Sequence, residues 1–215
     1  KAAGVDLTLK HILSQIQIKV KSTNDNIVYR IKGIRIVNVG KNKGTLTYAT
    51  STNNPSWDCT GATKTTYTNT FKDAIVLDGK TTQTATLTGE NGGAMIIPQT
   101  ITPWDGKKVT DTDAYNEGTY ISLLLNVKTT NGQQYMYPAD AEGENSYGWV
   151  AVAVPNNEWV IGSKYIYTLD MSTGCGKVDP VNPNPDGGVV KPGSKDPGKG
   201  ENVFGQVIKF NVAVT

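Results

Sequence analysis

The sequence predicts an all-β protein folded as a β-sandwich. Apolar residues alternate with a period of two through most of the chain, whereas no segment shows the 3.6-residue period of a long amphipathic helix. Roughly nine or ten short apolar segments are separated by turns rich in Gly, Asn and Pro, as is typical of two packed antiparallel sheets. A chain of 215 residues can bury one substantial core or two small ones.

The clearest strands lie in the second half of the chain. In TYISLLLNVK the aliphatic residues Ile121, Leu123, Leu125 and Val127 share one face, and the opposite face is largely polar. Asn131-Gly132 then predicts a hairpin closed by a type I′ turn, which needs positive φ at both central residues. The clearest strands are predicted at residues 119–128, 133–138, 148–155 and 164–171.

Two apolar runs change parity part-way along. The run from Val5 to Leu13 has one parity and the run from Ile16 to Val20 has the other, which predicts a β-bulge or a strand break. A second change of parity, across Gly33, predicts another β-bulge or strand break within residues 29–39. Shorter strands are predicted at residues 44–50, 74–77, 83–88 and 93–101, the last of them ended or bulged by Pro98.

The end of the chain combines a long polar segment with one strongly alternating strand. Residues 176–202 hold five of the ten prolines and six of the 23 glycines, which predicts a flexible linker between a domain at 1–175 and a strand at 203–215. Burial of the apolar face of that strand is worth on the order of 10 kcal/mol, so the strand must be docked. That face comprises Phe204, Ile208, Phe210, Val212 and Val214.

The predicted linker leaves the docking partner open. As a flexible coil, residues 176–202 span about 30 Å, and as polyproline II they reach about 80 Å. The shorter span lets the strand fold back onto its own domain, whereas the longer one lets it reach a neighbouring molecule. In either case, replacing Phe210 by Asp should destabilise the fold or complex that receives the strand by about several kcal/mol, because the substitution places a charge on the apolar face.

Composition and charge exclude some classes of function. The chain is 37 % hydrophobic and 19 % charged, with much Thr, Gly and Asn, as is common in exported β-proteins. A formal net charge of +2 without a basic block argues against a nucleic-acid partner. No apolar stretch is long enough to span a membrane. The chain starts at Lys1 without a visible signal peptide, which predicts a processed or trimmed product.

Few residues suggest a disulfide, a catalytic site or a metal site. Cys59 and Cys175 allow either one disulfide, worth about 4 kcal/mol in the chain-entropy model, or two unpaired thiols. His11 is the one histidine and is predicted to be a structural residue on a strand. DTDAYNEG at 111–118 lacks the full ligand pattern of a calcium loop and is predicted to be a polar connection. The sequence therefore predicts that the protein is not an enzyme and that it has no cofactor and no metal site.

Four segments in order resemble fimbrillin-like proteins, the subunits of type V pili. They are HILSQIQIKV at 11–20, MIIPQ at 95–99, the strand pair with its Asp-Pro ending at 147–180, and IKFNVAVT at 208–215. The resemblance implies a transthyretin-like sandwich with Greek-key sheets, equivalent to the second of the two domains usual in that family. It also implies export as a lipoprotein precursor and a structural or adhesive role in a fimbrium at the outer membrane.

The resemblance further implies how such subunits join. In that family the C-terminal segment of one subunit fills a groove in its neighbour by β-augmentation, and residues 203–215 match the donor. The implied partners are other pilus subunits, with a surface receptor also conceivable. A rival hypothesis is a carbohydrate-binding module that stacks sugar rings on exposed aromatic residues. Trp57 and Trp104, in loop-like segments, are the candidates for that exposure, with Trp149, Trp159, Tyr135 and Tyr137 as further members of the platform.

Overall fold

The computed structural model describes residues 10–88, 93–107, 116–132, 134–185, 188–206 and 208–215. All regular elements in this described part are strands, so the prediction of an all-β fold is confirmed. The strands are β1 (Ser14–Lys21), β2 (Ile27–Val39), β3 (Thr45–Thr47), β4 (Ser56–Asp58), β5 (Thr65–Leu77), β6 (Thr84–Thr86), β7 (Ala94–Ile96), β8 (Gln99–Thr100), β9 (Tyr120–Thr129), β10 (Tyr135–Tyr137), β11 (Gly148–Ala153), β12 (Glu158–Trp159), β13 (Lys164–Asp170), β14 (Lys177–Val178) and β15 (Lys209–Val214).

Two main sheets form the sandwich. The five-stranded sheet has the order β15-β13-β1-β6, and β7 also pairs with β1. In this sheet β1 and β13 are parallel, and the other neighbours are antiparallel. The six-stranded sheet has the order β14-β11-β9-β2-β5, and β10 also pairs with β9. Two small two-stranded sheets, β3 with β4 and β8 with β12, complete the described fold.

One large core lies between the two main sheets. The aliphatic face of β9 that the sequence identifies supplies its centre, where the side chains of 121, 123, 125 and 127 are at most 1 % exposed. Facing them across the sandwich are side chains of β1 and β13, including Ile18 and Tyr167, both fully buried. The predicted β-sandwich is therefore confirmed, whereas its transthyretin-like topology stays a prediction.

The irregularity predicted at Gly33 is confirmed, whereas the one predicted near the start of the chain stays a prediction. The pairing of β2 with both β5 and β9 shifts register between Ile31 and Gly33, which is the bulge that the sequence predicts. β1 begins at Ser14, so residues 10–13 precede the strand, and residues 1–9 with Val5 and Leu7 lie outside the described part. Pro98 separates β7 from β8, as expected of a residue that cannot donate to a ladder.

The Asn131-Gly132 hairpin forms with a different turn from the predicted one. The Gly132 amide donates to the Thr129 carbonyl over 2.8 Å, and Gly132 has φ +69°. Asn131 does not have positive φ, because Asn38 is the one non-glycine residue with positive φ in the described chain. The hairpin therefore closes with one left-handed residue, whereas a type I′ turn has two.

The sequence missed most of β5. Its first part, TTYTNTFK at 65–72, has almost no apolar alternation because the strand forms the outer edge of the six-stranded sheet and is exposed over most of that length. Threonine suits a strand through its branched side chain even where no core face exists. Edge strands of this kind carry a weak hydrophobic pattern, and the same holds for the short strands β4 and β12.

The outer face of β9 is also buried, although its residues are largely polar. The side chains of Tyr120, Ser122, Leu124 and Asn126 are at most 6 % exposed. Small apolar clusters around Trp104 and Trp149 lie on this side of the sheet. The cover between them is supplied by residues that follow β13, in the segment for which the sequence predicts a linker.

Candidate functional site at the C-terminal hairpin

The last strand is the return arm of a long hairpin that begins with β13. We call residues 164–178 the outgoing arm, 201–215 the return arm and 179–200 the strap that joins them. The pairing runs from Tyr165 with Val214 to Asp170 with Lys209, and continues at Gly174 with Gly205 and at Lys177 with Asn202. The register stays the same along this whole length. The C-terminal hairpin therefore crosses from one sheet of the sandwich to the other.

Two glycines mark the corner where the hairpin changes sheets. A Cβ at Gly174 would lie 2.0 Å from the Gln206 carbonyl oxygen, and one at Gly205 would lie 2.1 Å from the Thr173 carbonyl oxygen. Gly205 also has φ +66°, a conformation that other residues rarely adopt. The regular strand consequently starts only at Lys209, later than the strand predicted from residue 203.

β15 docks on its own chain and is incompletely buried there. Its register with β13 turns the predicted apolar residues toward the core face, where Ile208 is 4 % exposed. Phe204, Phe210 and Val212 are only partly buried, and Val214 is 55 % exposed. The docked strand thus achieves only part of the burial that the sequence predicts, because it forms the outer edge of the five-stranded sheet.

The strap is fixed to the outer face of the six-stranded sheet by Asp179. This carboxylate is fully buried and accepts hydrogen bonds from the Ser122 hydroxyl at 2.8 Å and the Tyr120 hydroxyl at 3.1 Å. The backbone amides of Val181 and Asn182 donate to it at 3.0 and 2.9 Å. A buried carboxylate is tolerated only where its lone pairs are satisfied in this way.

Arg35 supplies the countercharge for Asp179. Its Nη2 lies 2.8 Å from Asp179 Oδ2 and 2.7 Å from the Asn182 carbonyl oxygen. Its guanidinium also lies over the Trp149 ring, 4.1 Å from the centroid, in a cation–π contact. The Asp179 amide donates to the Trp149 carbonyl, and the Trp149 amide donates to the Pro183 carbonyl. These contacts explain why the polar outer face of β9 is buried.

The rest of the described strap is also packed. Val190 is 3 % exposed and joins the main core, and Asp196 is 2 % exposed with its Oδ1 accepting from the Ala139 amide at 2.8 Å. Lys191 and Lys195 both form ion pairs with Asp140. The sequence predicts a flexible linker here, whereas the structure shows a strap held by buried polar groups. The difference arises because Pro and Gly prevent regular strands but do not prevent packing.

Asp196 should make the stability of the fold depend on pH. Burial raises the pKa of Asp196 against the opposing backbone hydrogen bonds from Ala139 and Lys191. A raised folded pKa means that the folded state binds the proton more tightly, so this group contributes stability at low pH that is lost as the pH rises through the folded pKa. The charged groups nearest to Asp196 are Asp140 and its two ion-pair partners, Lys191 and Lys195.

The measurement compares wild type with Asp196→Asn by denaturant unfolding between pH 4 and pH 7. The stability of wild type relative to the variant should decline as the pH rises, because only wild type then acquires a buried charge. Asp140, Lys191 and Lys195 are present in both proteins, so their contributions to stability largely cancel in the difference. A difference that is flat over this range would show that Asp196 is charged at every pH tested.

The aromatic residues of the proposed carbohydrate platform are mostly buried. The expected exposure of Trp104 is wrong: it is 2 % exposed, packs on Tyr120 with ring centroids 5.4 Å apart, and donates its Nε1 proton to the Lys107 carbonyl. Trp57 is partly buried and donates to the Ile12 carbonyl at 2.8 Å. Trp149, Trp159 and Tyr137 are also buried, whereas Tyr135 is partly exposed.

The remaining candidate residues show no chemical site. Cys59 and Cys175 are both free thiols, and burial raises the pKa of Cys175. His11 is exposed and lies before β1, outside the strand on which the sequence places it. Residues 111–115 of the segment that resembles a calcium loop lie outside the described part. The described residues contain no group of three or more His, Cys, Asp or Glu that could hold a metal ion.

These features define a class of protein: a β-sandwich whose terminal strand pairs at the edge of one sheet. The particular family follows from the sequence. The chain belongs to the fimbrillin-like family, whose sequence model matches residues 1–184, so the resemblance noted above is confirmed. None of the curated proteins matches this chain significantly. The family match ends within the strap, and β15 lies beyond it.

Family membership gives the general role. Fimbrillin-like proteins are structural pilus subunits, not enzymes, so this chain is a pilus or fimbrial subunit. Such a subunit is exported to the surface and associates with other pilus subunits. No helix in the described part of the chain is long and apolar enough to span a bilayer.

Sequence reasoning identified the terminal strand but missed the Asp179 site that holds its strap. A weak signal was present in β9, where Tyr120 and Ser122 place two hydroxyl groups on the same face of the strand. Another was Asp179 followed by Pro180, a pair typical of a turn. Neither signal says that the two segments meet, since they are separated by more than fifty residues in the chain.

Proposed function

We propose that this chain joins a surface fimbria by donating its C-terminal strand to a neighbouring subunit, as a structural or adhesive component. The observation that carries the proposal is the incomplete burial of β15, whose apolar face is only partly buried at a sheet edge of the single chain, with Val214 55 % exposed. A groove that covers both sides of the strand would bury Phe210, Val212 and Val214 more fully. The proposal that the subunit reaches the outer membrane as a lipoprotein precursor is supported by the family resemblance alone.

Donation is favoured by the energetics of an edge strand. About 25 cal/mol is gained for each Å² of apolar surface removed from water, so side chains left partly exposed in the single chain would gain free energy from burial in a better-fitting site. Backbone groups along the outer edge of β15 are available for β-augmentation. A head-to-tail exchange of this kind generates an open fibre and not a closed dimer if the rotation between subunits does not close a ring.

The test uses synthetic peptides of residues 206–215 offered to the full chain. Wild-type peptide should bind in place of β15 and be retained on the protein in size-exclusion chromatography. A Phe210→Asp peptide should bind at least tenfold more weakly, because a charge enters an apolar face. An Asn211→Asp peptide carries the same charge on the exposed face and serves as the matched control.

In the full chain the same two substitutions should differ in their effect on the free energy of unfolding. Phe210→Asp should cost about 2 kcal/mol, since the ring is only partly buried, and Asn211→Asp should cost less than about 0.5 kcal/mol. Equal binding by the three peptides, together with oligomers that are unaffected by Phe210→Asp, would rule out strand donation through this face.

A further inference from the structure

The C-terminal hairpin consists of a firmly held part and a weakly held part. In the described part of residues 176–203, the two arms and the strap are anchored on the six-stranded sheet. The Val178 amide donates to the Glu201 carbonyl at 2.9 Å, and the Val203 amide donates to the Gly176 carbonyl at 3.0 Å. Val203 and Val190 reach the core, and Asp179 adds four hydrogen-bond donors and the Arg35 ion pair.

The part beyond Gly205 is held much less. Among the residues that the structure describes, it pairs on one side only, with β13, and forms the edge of its sheet. Among its described residues only Ile208 is buried, and the remaining apolar side chains of β15 are partly or largely exposed. The chain turns at Gly205, where φ is +66°. A change of backbone direction at this glycine would release β15 without breaking the contacts of Asp179.

We propose that the exchanged unit is the segment after Gly205, with the Asp179 site holding residues 176–203 on the parent subunit. This inference deepens the proposed function and rests on it for the exchange itself. The segment has ten residues, so fully extended it reaches about 33 Å. A tether of residues 176–202 would reach about 80 Å as polyproline II. Subunits joined through the shorter segment must therefore lie in direct contact.

Two engineered disulfides distinguish the two exchange units. Lys177→Cys with Asn202→Cys staples the firmly held part, and Thr168→Cys with Asn211→Cys staples β15 to β13. Both pairs are registered partners in antiparallel pairing, with Cα separations of about 4.5–5.5 Å that a disulfide can span. Cys59→Ser removes the less buried native thiol from the background, and the staples are formed with diamide and opened with dithiothreitol.

The first readout is uptake of the biotinylated 206–215 peptide by each stapled full chain. The Lys177–Asn202 staple should leave uptake within twofold of the reduced protein. The Thr168–Asn211 staple should lower uptake at least tenfold, with recovery after reduction. Loss of uptake with both staples would overturn the inference, because the exchanged unit would then include the strap.

The second readout is hydrogen–deuterium exchange of the unstapled chain, which needs no partner. Amides of β15 should exchange at least tenfold faster than the hydrogen-bonded amides of residues 176–203. Equal protection of the two parts would overturn the proposed hinge. Fast exchange in β15 without any peptide uptake would support the hinge and instead contradict the proposed function, so the two failures are distinguishable.

Discussion

Asp179→Ala should lower the free energy of unfolding by about 3–5 kcal/mol, because removing one partner of a buried ion pair leaves the other charge uncompensated. Arg35 has a side chain only 12 % exposed and would lose its countercharge. The hydroxyls of Ser122 and Tyr120 and two backbone amides would also lose their acceptor. For a chain of this size the melting temperature should fall by roughly 10 °C.

An exposed ion pair provides the control for Asp179. Lys64 and Glu117 lie 3.3 Å apart with side chains 52 % and 71 % exposed. Glu117→Ala should therefore change stability by less than about 1 kcal/mol. Calorimetry of both variants measures the difference. If Asp179→Ala melted within 2 °C of wild type, Asp179 would not be what holds the strap on the sheet.

Gly174→Ala should also have a large effect, by separating the two arms of the C-terminal hairpin. The added Cβ would come within 2.0 Å of the Gln206 carbonyl oxygen and 3.0 Å of its nitrogen, so the backbone of one arm must move. We expect a loss of about 3 kcal/mol, at the upper end of what overpacking costs, because the clash is with backbone. Release of β15 should appear as faster hydrogen exchange in residues 209–214.

Gly143→Ala is the matched control for Gly174→Ala. Nothing lies within 4 Å of the Cβ that it would add, and Gly143 does not have positive φ. Its stability should stay within about 0.5 kcal/mol of wild type. Identical melting temperatures for the two alanine variants would mean that the arms are not in close contact at Gly174.

The two substitutions act on different parts of the same element. Asp179→Ala releases the strap, whereas Gly174→Ala disturbs the corner from which β15 extends. If the exchanged unit begins after Gly205, Gly174→Ala should increase peptide uptake more than its effect on overall stability suggests. Asp179→Ala should instead expose the outer face of the six-stranded sheet around Trp149, which intrinsic tryptophan fluorescence can follow.

From the sequence alone, the most strongly alternating strands and the centre of the core could be recognised. Period-two alternation places Ile121 to Val127 on one buried face of β9, and the parity change at Gly33 marks a bulge that the pairing of β2 shows. Such features depend on neighbouring residues along one strand, so they can be recognised without knowledge of the rest of the fold. The apolar face of the terminal strand was recognised in the same way.

Only the tertiary structure decided what becomes of residues 176–202 and of the outer face of β9. Their composition is typical of a linker, because low hydrophobicity and many Pro and Gly residues oppose regular structure. One buried carboxylate nevertheless fixes the strap, since Asp179 meets Arg35, which lies 144 residues earlier in the chain. Local composition reports how much apolar surface a segment can bury, whereas a polar contact between distant residues depends on where the whole fold places its donors.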